Sequence, residues 1–154
     1  MNINDKDAGF YMVPVGAGIL AGTAGAEAAG AGAIVDQLAH DGLRSGAIVV
    51  FGEAVLSQDE TITLDDVKIM HSDDSGMSGA VEYDYMEGAQ DSAILATGGS
   101  GGSTEVISFK QRINLQGVKR YWQISIEPNC SAAGTDTYSF GFGVVAIGQE
   151  APAV

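Results

Sequence analysis

The sequence predicts an all-β protein, a jelly-roll-like antiparallel sandwich of seven or eight strands with a Gly/Ala-rich N-terminal arm. Three observations carry this expectation. From Thr104 to Gly148 apolar residues recur at every second position: Ile107, Phe109, Ile113 and Leu115, then Trp122, Ile124 and Ile126, then Tyr138, Phe140, Phe142, Val144 and Ala146. Successive side chains of a strand point to opposite faces, so each segment turns one face to a core and the other to water or a partner. Helical patterning is scarce: residues 28–40 place Ala31, Ile34 and Leu38 on a common helical face, but Gly30 and Gly32 interrupt it at about 1 kcal/mol each against alanine. Finally, the 154 residues suffice for one domain that needs neither metal nor disulfide to hold a core.

Taken in order, residues 1–33 form a Gly/Ala-rich arm belonging to the same domain, and residues 34–154 form the sandwich. Glycine, at 22 of 154 residues, is about twice its usual share, concentrated in this arm and in the loop Thr97-Gly98-Gly99-Ser100-Gly101-Gly102-Ser103. Glycine loses the most backbone entropy on ordering, so the first stretch reads as an arm and the second as a flexible loop. Within the arm, Phe10, Tyr11, Met12 and Val13 are an aromatic-apolar cluster and the candidate intermolecular contacts. Residues 34–38 are expected to be a strand. The run Ala47-Ile48-Val49-Val50-Phe51 is almost unbroken in apolar character, as for a central strand covered on both faces. Ile62 and Leu64 put even positions inward, whereas Val67 and Ile69 put odd positions inward. That change of phase requires one extra residue, and a β-bulge is expected at Asp65-Asp66. A turn, Ser72-Asp73-Asp74-Ser75-Gly76, separates this strand from alternating Val81, Tyr83 and Tyr85. Trp122, Ile124, Phe140 and Phe142 should be interior.

Charge and cysteine content narrow the function. Seven Lys and Arg against twenty Asp and Glu give a formal charge of −13, which repels phosphate backbones and anionic lipid headgroups and argues against nucleic acid or membrane partners. Cys130 stands alone, so no intrachain disulfide forms, consistent with assembly in a reducing cytoplasm. The uncharged stretch from Gly9 to Ala26 contains Pro14 and several glycines and begins beside Asp5 and Asp7 instead of a basic flank, so it does not read as a signal peptide or membrane span.

Each motif with apparent chemistry has a simpler explanation. Gly16-Ala17-Gly18-Ile19-Leu20-Ala21, with Asp36 further on, has the outline of a dinucleotide-binding turn. That site requires a helix over residues 19–33, where Gly22, Gly25, Gly30 and Gly32 together cost about 4 kcal/mol of helix propensity. His71-Ser72-Asp73-Asp74 juxtaposes hydrolytic group types, but as neighbours in a row, so a turn with a solvated histidine is expected. Ser75 and Met77 fall where a calcium loop needs ligands, and His40, His71 and Cys130 fall short of a zinc set. Lys119 and Arg120 beside Tyr121 and Trp122 are too few cations for a nucleic-acid groove. They are expected at a strand start, pairing with local acids or a partner protein, with Trp122 in the core. No catalytic, cofactor or metal residues are assigned.

Four segments carry a resemblance: Ser72-Asp73-Asp74-Ser75-Gly76, Lys119-Arg120-Tyr121, Ser131-Ala132-Ala133-Gly134-Thr135-Asp136-Thr137, and the apolar stretch from Phe140 to Gly148. Over residues 34–150 this arrangement resembles small tailed-bacteriophage virion proteins of the capsid decoration or cement type. The resemblance implies a non-enzymatic β-sandwich that binds the outside of an assembled shell. It also implies the major capsid protein as partner, a homo-oligomer (dimer or trimer), and a place on the capsid exterior after synthesis in the host cytoplasm. Two alternatives remain: a phage tail or receptor-binding module using the loop from Thr97 to Ser103, and a nucleotide-binding enzyme using residues 16–21.

Overall fold

The computed structural model describes residues 10–23, 29–40, 43–83, 93–131 and 135–149. Strands dominate them: β1 (Phe10–Thr23), β2 (Gly30–Ala31), β3 (Val35–Asp36), β4 (Leu43–Leu56), β5 (Thr61–Ser72), β6 (Val81–Tyr83), β7 (Ala93–Thr97), β8 (Ser103–Asn114), β9 (Tyr121–Cys130) and β10 (Thr137–Gln149). The count exceeds seven or eight because β2, β3 and β6 are pieces of two or three residues, too short to leave an alternation in the sequence. Residues 34–38, expected as one strand, are strand only at Val35–Asp36, after which Gln37–His40 form a single 3-10 turn.

Two antiparallel sheets face each other. One has the order β1-β10-β4-β8; in the other β9 and β5 are central, with β2 and β3 along the free side of β9 and β6 and β7 along the free side of β5. The three alternating C-terminal strands are therefore not neighbours: β9 lies in one sheet, and β8 and β10 in the other, separated by β4. Between the sheets lie Trp122, Ile124 and Ile126 from β9, Ile62, Leu64 and Ile69 from β5, Ile48 and Val50 from β4, and Phe140 and Phe142 from β10, all buried. The expected bulge is present. Leu64 pairs with Pro128 and Asp66 with Glu127, leaving Asp65 as the extra residue that returns Val67 and Ile69 to the core. Asp65 accepts hydrogen bonds from the Thr63 hydroxyl (2.7 Å) and the Asn129 amide (2.7 Å), which hold the bulge open.

The segment read as an arm is, from Phe10 to Thr23, a strand of the sheet, paired along its length with β10. Glycine propensity alone predicts otherwise, but the register supplies what glycine lacks. Gly18 lies opposite Phe142 and Gly22 opposite Tyr138. A methyl group at Gly18 would enter the Phe142 ring, and one at Gly22 the Tyr138 ring. On the other side of β10, Phe140 lies opposite Gly52, where an added Cβ would meet the Ser139 carbonyl and the Phe140 backbone. Each large ring of β10 thus has a glycine beside it on one neighbouring strand, filling the space that a side chain would take. Gly16, at φ +63°, makes the irregularity between Val15 and Gly18 that keeps β1 in step with β10.

The loop from Thr97 to Ser103 is tied down, contrary to its expected flexibility. Gly98 donates to the Glu60 carbonyl (2.8 Å) and accepts from Asp59 (3.0 Å), while Gly99 donates to the Ser103 hydroxyl (2.7 Å). Tyr85 and residues 132–134 lie outside the described residues.

Two deletions in β5 should behave oppositely. Removing Asp65 deletes the bulge but leaves Ile62, Leu64, Val67 and Ile69 in phase, so the domain should fold with a loss of about 1–2 kcal/mol from the missing hydrogen bonds. Removing Lys68 instead turns Ile69 outward and should cost several times more. Denaturant unfolding of both variants tests the register. Gly52→Ala should cost about 1–3 kcal/mol by overpacking, against less than about 1 kcal/mol for Gly99→Ala, whose Cβ meets only the Ser103 side chain closely.

Candidate interaction surfaces

The polar groups singled out from the sequence are engaged in holding the fold. His71, near the end of β5, is half-buried instead of solvated, and its Nδ1 accepts a hydrogen bond from the Lys119 N–H (3.1 Å). Nε2 therefore carries the proton. Its ring packs against Tyr83 with centroids 5.1 Å apart. Burial, then the nearby Lys119 charge, lower its pKa below the ordinary 6.5, and Asp73 opposes them. Ser72, also buried, donates its hydroxyl to the Ser78 carbonyl (2.8 Å) and accepts from the Asp74 N–H (3.1 Å). Asp74 accepts from the N–H groups of Gly76 and Ser78, so its carboxylate serves the turn. Asp73 pairs with Lys119 at 3.0 Å. The imidazole and the Asp73 carboxylate both meet Lys119, one at its backbone N–H and the other at its ammonium, while the Ser72 hydroxyl and the Asp74 carboxylate serve the turn.

Lys119 and Arg120 do sit at a strand start and do pair with local acids. Arg120 forms a two-pronged pair with Asp36 (3.1 and 3.0 Å) and lies 4.9 Å from the centre of the Tyr121 ring. The guanidinium holds the Asp36 carboxyl below the usual carboxylate range. Asp36 also accepts from the Leu38 N–H at 3.0 Å, capping the 3-10 turn. The acid that would contact a ribose is thus committed to β9. Residues 19–23 continue β1 as strand where a pyrophosphate site needs a helix. Trp122 is fully buried, and its indole N–H donates to Gln37 Oε1 at 3.0 Å. Gln37 has no visible signature in the sequence, because its partner is remote in the chain.

Asp136 is buried at the other end of the sandwich and accepts hydrogen bonds from the Ser57 N–H (2.9 Å) and hydroxyl (2.5 Å). Ser131 bonds Thr61 and Glu60 nearby. The described residues of the three polar segments behind the phage resemblance therefore share one role, fastening strand ends. Among the described residues no group of three or more His, Cys, Asp or Glu side chains converges as a metal site, and no helix is long and apolar enough to cross a membrane.

Two surfaces have no neighbouring element among the described residues. The first is the free side of β1, an edge strand whose first four positions are Phe10, Tyr11, Met12 and Val13, paired through their other side with Gln149, Gly148, Ile147 and Ala146. The middle of this edge is blunted: Pro14 lacks an N–H, and the Ala17 carbonyl already accepts from Ala33 at 2.9 Å. The second is the outward face of the four-stranded sheet. Ile19 is 81% exposed, Phe51 75% and Val106 78%, and Gly141 and Gly143 between β1 and β4 leave a trough. That trough, an open groove of about 320 Å³, is floored and walled by Ala17, Val49, Phe51, Gly141, Gly143 and Val145 among others. The outward face of the opposite sheet is mostly polar over β5 and β9, with Thr61, Thr63, Asp66, Lys68, Gln123, Ser125 and Glu127, and carries Met70 and, on β7, the exposed Ile94. Among the described residues the apolar run at residues 47–51 is covered on one face only, because β4 has the other sheet beneath it and no described layer above.

No protein-family model matches the chain, and no curated protein matches it in sequence.

A lowered imidazole pKa has a definite sign. Between the folded value and 6.5 the unfolded chain binds the proton more readily, so this contribution to stability is full above pH 6.5 and is lost as pH falls through the folded value. The His71 ring protons should titrate below 6.5 by NMR. Relative to His71→Gln, the native protein should lose stability on going from pH 7.5 to 5.

Proposed function

We propose that the chain is a structural virion protein that binds the outer surface of a phage capsid and stabilises the shell, a decoration or cement protein. The observation that carries this reading is the edge position of β1, with Phe10, Tyr11, Met12 and Val13 at its start. A long edge strand presents a row of backbone donors and acceptors to any chain that can extend the sheet, and natural proteins blunt such edges unless they use them. Here the blunting by Pro14 and Ala33 spares the first four positions. The likeness of residues 34–150 to phage decoration proteins supports the same reading, as does the commitment of the polar motif residues to fastening the fold.

On this reading the partner is the major capsid protein, and the function is mechanical. A β-sandwich with most of its chain in extended, cross-linked strands resists deformation, and each docking contact is repeated over a symmetric shell, so modest contacts sum by avidity. The −13 charge then faces solvent and keeps decorated particles apart. Because residues 10–15 also pair with β10, truncation would damage the sheet, and substitution is the cleaner probe.

Purified particles should contain this protein in a copy number comparable to the coat subunit, as quantified by mass spectrometry; a handful per particle would point to the tail instead. Lysine at both Phe10 and Met12 should weaken binding to undecorated shells about tenfold or more, with the melting temperature of the free protein within a few degrees of the native one. Unchanged binding would remove β1 from the contact.

A further inference from the structure

We propose that the outward face of the four-stranded sheet is a self-association surface, and that two copies pack face to face with Phe51 of each seated in the Gly141–Gly143 trough of the other. The inference stands apart from shell docking through β1, which uses an edge of the same sheet and leaves its face free.

Register defines the face. Ile19, Gly141, Phe51 and Ser108 form one row across the four strands; Ala21, Ser139, Glu53 and Val106 form the next, with Gly143, Val49 and Lys110 on the other side. Phe51 projects beside the trough left by Gly141, so the face carries both a knob and its hole in one row. A two-fold axis parallel to the strands, between β10 and β4, places the β4 of one copy over the β10 of the other without shifting the rows. Phe51 then stands over Gly141 of the second copy, and the relation is reciprocal, as an isologous interface requires. At the usual separation of about 10 Å between packed sheets, a projecting ring reaches the facing backbone only where glycine leaves room.

Charge selects a second copy as the occupant. Two molecules of charge −13 repel each other over most of their surfaces. On these rows the sole carboxylate is Glu53, and it is accompanied by Lys110 and, one row further, Arg112. Here two copies meet without setting carboxylates against carboxylates. Among the described residues neither cation has a carboxylate partner in its own chain, whereas Lys68, Lys119 and Arg120 do. The size suits a weak dimer: four strands by nine residues spans about 19 by 30 Å, or about 570 Å² per partner, just under the roughly 600 Å² per partner at which stable interfaces begin. The apolar run at residues 47–51 has the composition of a strand covered on both faces, and a second copy supplies the missing cover.

Sedimentation equilibrium of the full chain is the test. A dimer with Kd of about micromolar order is expected, tightening between 20 and 300 mM NaCl as salt screens the mutual repulsion. Phe51→Glu should weaken it at least about 30-fold, the loss of a hot spot. Gly141→Val should do the same by filling the trough from the other side. That position tolerates a side chain in the single chain, since an added Cβ meets nothing nearer than 4.0 Å, so a monomeric and fully folded Gly141→Val variant supports the inference. A native protein that stays monomeric at about 100 µM, or a dimer indifferent to both substitutions, overturns it. So does loss of shell or anionic-vesicle binding in Phe51→Glu without any change in self-association, because the face would then belong to that other surface. Failure of the dimer with shell binding intact leaves the decoration reading untouched.

Discussion

The structure depends on a steric exchange along β10, where Tyr138, Phe140 and Phe142 each lie beside a glycine on an adjacent strand. The rings are the bulkiest inward side chains of the four-stranded sheet, and the glycines of β1 and β4 supply the space beside them. Neither half works alone. Glycine in a strand gives up entropy and packs nothing, and three large rings in alternate positions on one strand would overfill a sheet whose neighbours also carried side chains. Together they let β1 be rich in glycine and still join the core. Phe140 and Phe142 can then join Ile124 and Ile126 of the opposite sheet in a core both sheets share.

Around that core the polar groups act as fasteners at the places where the chain passes between sheets. Asp136 binds the Ser57 turn where β4 hands over to β5, Arg120 and Asp36 bind β3 to β9, and His71 receives the Lys119 N–H where β9 begins. The connections cross the sandwich repeatedly, so nearly every fastener joins residues distant in sequence. Such groups look like scattered chemistry when read along the chain, and in the fold each has a structural partner.

The two outward faces differ in character. One is mostly polar and carries the Lys68–Asp66 pair; the other is more apolar, with one carboxylate on its central rows, in a chain whose charge is otherwise strongly negative. A sheet face of this kind is stable in water only at a cost in exposed apolar area, which association removes. The open start of β1 offers a different kind of contact, directional and made of backbone groups. On the proposed reading, an edge and a face of one sheet let the protein meet two neighbours at once.

How much of this was legible in the sequence follows from the range of the forces involved. Alternation is a local property, so the two-sheet character, the burial of Trp122, Ile124, Phe140 and Phe142, and the bulge at Asp65 were determined by residue spacing alone. The pairing of Lys119 and Arg120 with acids also followed, because charge excess makes a carboxylate neighbour nearly unavoidable. The role of residues 10–23 did not, since glycine's weak strand propensity is overruled only by rings more than a hundred residues away. For the same reason the short strands β2 and β3, the Gln37 contact with Trp122 and the anchoring of the 97–103 loop emerged only from the assembled sandwich. The exposed face was half-visible: the run at residues 47–51 declared a strand needing two covers, and tertiary structure alone decided that the described residues of the single chain provide one.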